Sequence, residues 1–424
     1  MAQDGVCSPR SSIVREGGGC RQDKRTYALR DVATAQSVEA AQGGVEMPRF
    51  PNNDIISLID AMPRYDLGES VGPDLRLSDL LGPSAQPSFG DMALGYGSAQ
   101  GDPRLRTLIA AAHGVGADDV VVTVGGMHAL FLLAFVLCDR GDEAVTVSPM
   151  FPLARNTLDV VGATIRTVSL SFDRGYQLDA ADIGRHLSER TKLVSVASPQ
   201  NPSGVTSSLK VLRDIVALME ERCPEAYLLL DETYREAAYG DDAVAQSAVG
   251  LSQRVISCAS LSKCHGAPGL RLGWAITRDA ALKEQLVVAK FNTVISCSPV
   301  DEALALLVLT RRDDILGERR RRLADGLALT AHWVRENDAF VEWVRPDAGA
   351  LCCVRLKSAV FDNGAVERFY EGLARDGVRV ANGSWFGDEA RVFRLGFGLL
   401  SRADLEAALT RLSATARRIS HAAV

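Results

Sequence analysis

Hydrophobic and polar positions fall into two alternating rhythms through the middle of the chain. Short runs of β-branched and other apolar residues occupy 120–124, 144–147, 164–168, 193–197, 227–230, 255–258 and 272–276. They are too short for helices, and most are near-continuously apolar, so they predict strands, mostly buried on both faces. Between most of them apolar residues recur with a 3.6-residue period, as over 127–138 and 209–222, which predicts helices. The apolar run at 129–138 is too short to span a bilayer and is expected to be a buried core helix. Strand–helix alternation of this kind predicts an α/β fold, a mainly parallel seven-stranded sheet with helices on both faces. Beyond 315 the helical patterns lengthen and strand-like runs recur at 352–356 and 392–395, which predicts a smaller α+β domain.

Residues 1–45 are rich in Gly, Ser, Arg, Gln and Ala and lack hydrophobic periodicity, so a mobile N-terminal extension is expected there. The expected divisions that follow are 46–82 as the N-terminal segment of the small domain, 83–314 as the large domain and 315–424 as the rest of the small domain. The full length of 424 residues accommodates both.

Composition then removes several function classes. The net charge of −6 gives no basic surface for nucleic acid or an anionic membrane, and neither partner is expected. The one basic run, at 319–322, sits inside a helical pattern and is expected to be a solvated helix face. The 9 cysteines are odd in number and irregularly spaced, which fits neither a disulfide framework nor a zinc site, and no metal is expected. Reduced thiols and the missing apolar region of a secretory signal lead to a cytoplasmic protein as the expectation.

The segment 260–274 reads Ser-Leu-Ser-Lys-Cys-His-Gly-Ala-Pro-Gly-Leu-Arg-Leu-Gly-Trp, between two strand patterns. Gly266, Pro268, Gly269 and Gly273 disfavour a helix, so an irregular loop at a strand end is expected, where sites are commonly built. There Lys263 could form a Schiff base with an aldehyde while Ser260 and Arg271 hold a phosphate, although an isolated Ser-x-Ser-Lys is equally a surface turn. Asp231 ends the apolar run Leu-Leu-Leu, and a buried carboxylate there needs a cationic partner such as a protonated pyridine nitrogen. A helix cap is the plainer alternative. The rigid turn 198–204, Ser-Pro-Gln-Asn-Pro-Ser-Gly, could aim the Asn201 amide at a ring oxygen or simply join a strand to a helix. Gly125 and Gly126 lie where a strand passes into a helix, an arrangement that receives phosphate and also occurs for packing alone.

In this order and spacing the segments resemble the class I/II aminotransferases, pyridoxal-phosphate enzymes of fold type I, from about residue 51 to the C-terminus. The resemblance implies pyridoxal 5'-phosphate as cofactor, held by Lys263 as a Schiff base. It implies Ser260, Arg271, Gly125, Gly126 and Met127 at the phosphate, and Asp231 at the pyridine nitrogen. Tyr234 and Asn201 would meet the ring oxygen, with Phe151 stacked on the ring. Arg394 would grip the substrate carboxylate, with Asn201 and Gly68 also at the substrate. Tyr96 would reach the phosphate of a neighbouring subunit, so a homodimer with shared sites is implied. The loop 67–73 departs from the family pattern, reading Leu-Gly-Glu-Ser-Val-Gly-Pro where Gly-Glu-Pro-Asp-Phe is commoner.

The implied reaction moves an amino group between an L-amino acid and a 2-oxo acid, with Lys263, Asp231 and Tyr234 as catalytic residues. Lyases, cyclases, decarboxylases and oxidases use the same residues on this fold, and a regulatory protein without turnover is a more distant alternative. The stretch 291–300 matches the region where the family places a second arginine for dicarboxylates, and it holds no cation. A neutral, cationic or aromatic amino donor is therefore expected in preference to aspartate or glutamate.

Overall fold

All seven apolar runs fold as strands of one sheet. The computed structural model describes residues 50–51, 54–56, 63–81 and 92–421, and the extension expected over 1–45 lies outside them. In chain order the strands are β1 (Tyr65–Asp66), β2 (Val120–Thr123), β3 (Glu143–Ser148), β4 (Thr164–Ser169) and β5 (Thr191–Ala197). They continue with β6 (Tyr227–Asp231), β7 (Val255–Ser260), β8 (Gly273–Thr277), β9 (Val341–Val344) and β10 (Leu351–Leu356). The last are β11 (Val378–Arg379), β12 (Ala381–Asn382) and β13 (Val392–Gly396).

The large sheet has the order β2-β8-β7-β6-β5-β3-β4. Only β8 runs antiparallel to its neighbours, so the carboxyl ends of the other six open on one edge. Register brings Ala197, Asp231 and Cys258 side by side at that edge. It also sets Gly273 between Thr123 and Ser260. Strands β2, β6, β7 and β8 are buried along almost their whole length, which is why their sequences show apolar runs without alternation. The edge strand β4 instead carries exposed Thr164, Arg166 and Ser169.

Helices cover the sheet and start at identifiable caps. Asp102 accepts from the Arg104 and Leu105 amides at 2.7 and 3.4 Å, Pro103 takes the first turn, and Gly114 ends Pro103–His113 at φ 69°. Ser208 caps Leu209–Arg222 in the same way. The helix Gly125–Leu137 is apolar nearly all round, because it is packed between the sheet and its neighbours.

A second, antiparallel sheet runs β12-β13-β10-β9, while β1 pairs in parallel with β11. Its core is built from Phe361, Phe369, Phe393 and Leu395 with the helices Arg312–Glu336 and Arg402–His421. Trp333 Nε1 fixes the two helices by donating to Ser413 Oγ at 2.7 Å.

The basic run at 319–322 departs from its expected role as a solvated face. Arg319 donates to the Pro73 carbonyl at 2.8 Å and Arg320 to that of Glu236 at 3.2 Å. Arg322 reaches the carbonyls of Gly398, Leu399 and Leu400 at 3.1, 3.0 and 2.7 Å. Only Arg321 is exposed, so three of the four guanidiniums clamp the segments that wall the sheet edge.

Candidate active site

The turns leaving β2, β3, β5, β6 and β7 meet at the carboxyl edge of the sheet, the place where such sheets form crevices. At its centre is a cradle of main chain. Gly125 adopts φ +75°, and a Cβ there would stand 2.5 Å from Arg271 Nη2. A Cβ on Gly273 would come within 2.5 Å of the Gly126 nitrogen, so glycine alone lets β8 pass behind the turn. Gly126 faces Ser260, whose side chain lies 3.7 Å from the corresponding Cβ position. Arg271 itself bends at φ 44° and anchors one arm on the Pro268 carbonyl at 2.8 Å. Met127 sits in the first turn of Gly125–Leu137, whose leading amides have no helical partner. A guanidinium, a hydroxyl and a helix N-terminus around space a methyl group would fill can accept a phosphate. His128 closes this turn locally, accepting from the Val124 amide at 3.3 Å through Nδ1.

Lys263 lies three residues beyond β7 and lines a cavity of about 470 Å³ together with Ser70 and Tyr234. Burial holds its amine below the ordinary lysine value, with the nearby Glu69 carboxylate opposing the shift. Asp231 ends β6, and burial pushes its carboxyl up, offset by Thr233, whose amide donates to Oδ1 at 3.0 Å. Tyr234 is buried, shares a 2.9 Å hydrogen bond with Ser70 Oγ, and is pushed up to about 12 by that burial. A base with lowered affinity for its proton thus stands near a carboxyl and a neutral phenol.

Arg394 is brought to this group by β13. It is 2% exposed, donates to Asn201 Oδ1 at 2.9 Å and to the Gly68 carbonyl at 2.5 Å, and its Nε has no partner. The Phe386 ring lies beneath the guanidinium, 4.8 Å from ring centre to Cζ. Gly396 permits the approach, since a Cβ there would be 1.8 Å from the Glu69 carbonyl. A buried guanidinium with an orphan N–H can take an anion, and a carboxylate fits its planar fork.

Phe151 precedes Pro152–Val161 and packs against the cluster of Ile55, Ala381 and Phe386, which ties it to the Arg394 side of the crevice. Tyr96 is not brought into this crevice by its own chain. It is 84% exposed, on a segment tied down by the Gly97 amide donating to Ser296 Oγ at 3.2 Å. Sequence reasoning missed Ser70, Phe386 and the packing role of Gly273. Ser70 and Phe386 carry no local pattern, whereas Gly273 could be suspected from a glycine opening an otherwise bulky strand.

The profile of aminotransferase class I and II matches residues 85–412. The chain belongs to this family. Its cofactor is accordingly pyridoxal 5'-phosphate, and the glycine cradle, the Lys263 amine and the Asp231 carboxyl suit its phosphate, aldehyde and ring nitrogen. Capreomycidine synthase of Streptomyces vinaceus is 30% identical over 318 residues, 75% of this chain and 79% of that protein. Arginine–pyruvate transaminase AruH of Pseudomonas aeruginosa is 27% identical over 361 residues, covering 78% and 86%. Among solved structures, a PLP-dependent aminotransferase from Streptococcus suis superposes with a TM-score of 0.79 at 24% identity, over 88% of this chain and 99% of that one. That likeness establishes the shared fold. Among the described residues no helix is long and apolar enough to cross a membrane, and no group of metal-ligating side chains is present.

Proposed function

We propose that the protein is an aminotransferase that moves an amino group from an L-amino acid to a 2-oxo acid. The observation that carries this reading is the Lys263 amine, its proton affinity lowered by burial, in a cavity that also presents Tyr234, near the buried Arg394. The cofactor supplies an electron sink for the pair left when the Cα–H bond breaks. Lys263 would take the Cα proton and return it two atoms further along, past the substrate nitrogen. Asp231 keeps the pyridine nitrogen protonated. Tyr234 and Asn201 donate to the ring oxygen. Ser260, Arg271 and the turn Gly125, Gly126, Met127 hold the phosphate, and Phe151 stacks on the ring. Arg394 grips the substrate carboxylate, with Gly68 beside it. Borohydride reduction of the cofactor-loaded protein followed by peptide mass analysis should place the pyridoxyl group on Lys263. A label on any other lysine overturns the assignment.

The similarity to capreomycidine synthase favours one rival, a cyclase or related chemistry run by the same residues. Single-turnover mixing with a panel of amino acids separates the two. Transamination releases one oxo acid per site and leaves the cofactor aminated, whereas cyclisation does neither and elimination, even where it ends in an oxo acid, frees ammonia and leaves the cofactor unaminated. The arginine–pyruvate relative puts basic amino acids first in that panel.

The working form in this reading is a homodimer. Exposed Tyr96, Leu94, Phe291, Val294 and Ile295 give an apolar surface that a second copy would cover, with Tyr96 reaching the partner's phosphate. A cytoplasmic location is part of the same proposal, supported by free, buried cysteines at 138, 223, 258, 264, 297, 352 and 353. Sedimentation of the loaded enzyme and of Tyr96→Ala tests the dimer, and a monomer with full activity excludes it.

A further inference from the structure

The helix Gly125–Leu137 begins without a side-chain cap, because Val124 at its N-cap has no acceptor to offer. A Ser, Thr or Asp there would take one of the leading amides for itself. Valine leaves the amides of Gly126 and Met127 to an incoming anion, here the cofactor phosphate. The Val124 amide itself donates to His128 Nδ1 at 3.3 Å. This contact resembles the return arm of a capping box, with an imidazole one position further along in place of the usual Glu or Gln.

The main-chain N–H fixes the state of the ring. Nδ1 accepts, so the proton sits on Nε2, which donates to Thr293 Oγ1 at 3.1 Å. The Thr293 hydroxyl in turn donates to the Lys290 carbonyl at 3.0 Å, which anchors the imidazole on the helix Ala280–Val294. Burial, and after it the charge of Lys290, pushes the imidazole down to about 4, so the neutral ring required here is the form present at pH 7.

The far end of the bend is held as well. Thr123 Oγ1 donates to the Gly125 carbonyl at 2.9 Å. That carbonyl shares a peptide plane with the Gly126 amide, so Thr123 aims the amide while His128 fixes the peptide group entering the bend. Between the two anchors Gly125 turns at φ +75°.

We infer that His128 is a positioning residue for the cofactor phosphate: by holding the Val124 amide through Nδ1, it sets the bend that presents the Gly126 and Met127 amides. The inference rests on the reading of this turn as the phosphate cradle and is independent of the reaction that follows. His128 touches no reacting atom.

The test compares the dissociation constants of pyridoxal 5'-phosphate and of pyridoxal, which lacks the phosphate. Bonding to the aldehyde and the ring is common to both, so their ratio isolates the phosphate. In the wild-type enzyme the ratio should be on the order of 100-fold or more in favour of the phosphate ester. In His128→Ala it should fall on the order of ten-fold, as for a main-chain amide left without its partner. His128→Asn places an amide oxygen where Nδ1 stands and should restore most of the ratio. His128→Gln carries its polar end further out, where Nε2 stands, and should behave like His128→Ala.

A ratio unchanged in His128→Ala overturns the inference, and so does an equal weakening of both aldehydes, which is what general damage to the fold would give. An Asn variant no better than the Ala variant overturns the role of Nδ1. Equal affinities in the wild-type enzyme overturn the cradle reading, and the inference with it. Nitrogen-15 NMR of the wild-type enzyme at pH 7 decides the matter without any variant: His128 should show an unprotonated Nδ1 coupled to the Val124 amide. A proton on Nδ1, in either the other tautomer or the imidazolium, overturns the proposal.

Discussion

Arg394 and Asn201 are joined by a 2.9 Å hydrogen bond from the guanidinium to the amide oxygen, although 193 positions separate them in the chain. The bond links β13 of one sheet to the turn after β5 of the other and orients both groups. With Oδ1 accepting from Arg394, the Asn201 NH₂ is the end left to donate into the crevice.

Replacing Arg394 with Ala should therefore do two things. The substrate carboxylate loses a buried charged partner, so kcat/KM for amino acids should fall about 100-fold, the equivalent of about 3 kcal/mol. Cofactor affinity should change far less, since Arg394 belongs to the carboxylate side of the crevice. Stopped-flow kinetics with an equilibrium titration of cofactor measures both. A variant that loses cofactor while amino-acid binding survives contradicts the assignment.

The glycine cradle gives a contrast between two variants. In Gly125→Ala the left-handed φ of +75° costs about 1 kcal/mol, and the new methyl meets only the far end of Arg271 at 2.5 Å, a flexible arm that can swing away. The protein should remain folded while its cofactor dissociation constant rises on the order of ten-fold, because a phosphate ligand has been displaced. In Gly273→Ala the methyl meets main chain, at 2.5 Å from the Gly126 nitrogen and 2.6 Å from the Gly125 carbonyl carbon. Neither can yield without moving a strand, so a loss of about 3 kcal/mol or more in unfolding free energy is expected. Denaturant melts of the cofactor-free forms decide the order, and equal stabilities would remove the distinction.

How much of this was legible depended on whether a feature is local. The β-branched runs located all seven strands of the large sheet, and the period over 209–222 matched the helix Leu209–Arg222. The reversed direction of β8 was not legible, because an apolar strand looks alike whichever way it runs. Two-residue strands such as β1 and β11 carry too few positions for any period. Ser70 meets Tyr234 across 164 positions, and no spacing rule encodes such a contact. The run at 319–322 misled for the same reason. Its partners are carbonyls of Pro73, Glu236 and Gly398, invisible to a reading of helix periodicity.

His265, two residues past Lys263, supplies a pH dependence of stability. It is 1% exposed, and burial pushes its imidazole down to about 4, with Glu236 at 3.5 Å acting against the shift. Below the unfolded value of about 6.5 the unfolded chain binds a proton that the folded chain refuses. Stability is thus fully present above that value and is lost as pH falls from about 6.5 towards 4, by up to about 3 kcal/mol. His128, lowered to about 4 mainly by its own burial, contributes in the same direction. Urea midpoints of wild type and His265→Gln between pH 7 and 4.5 should converge on acidification. Parallel curves would mean that His265 is charged in the folded protein.

Asp231 gives the sharpest test of the chemistry itself. Its carboxyl ends β6 beside Ala197 and Cys258, where burial disfavours its charge and Thr233 opposes that shift, its amide donating to Oδ1 at 3.0 Å. A carboxyl held in this way gains most from a cation placed against it, because a positive ring nitrogen would restore the ionised form and be stabilised in return. Asp231→Asn keeps the shape and removes the charge, so the ring nitrogen loses its reason to stay protonated. Cofactor should remain bound, since the phosphate cradle and Lys263 are untouched. Loss of the Cα proton should slow on the order of 100-fold or more, comparable to removing one group that stabilises developing charge. Exchange of the Cα hydrogen of the amino donor for deuterium, followed by NMR, reports that step whether or not an oxo acid is released. Exchange near the wild-type rate would mean that Asp231 does not face the ring nitrogen. Slow exchange combined with normal cofactor binding would locate its action at the electron sink, the point at which transamination and its rivals still share one path.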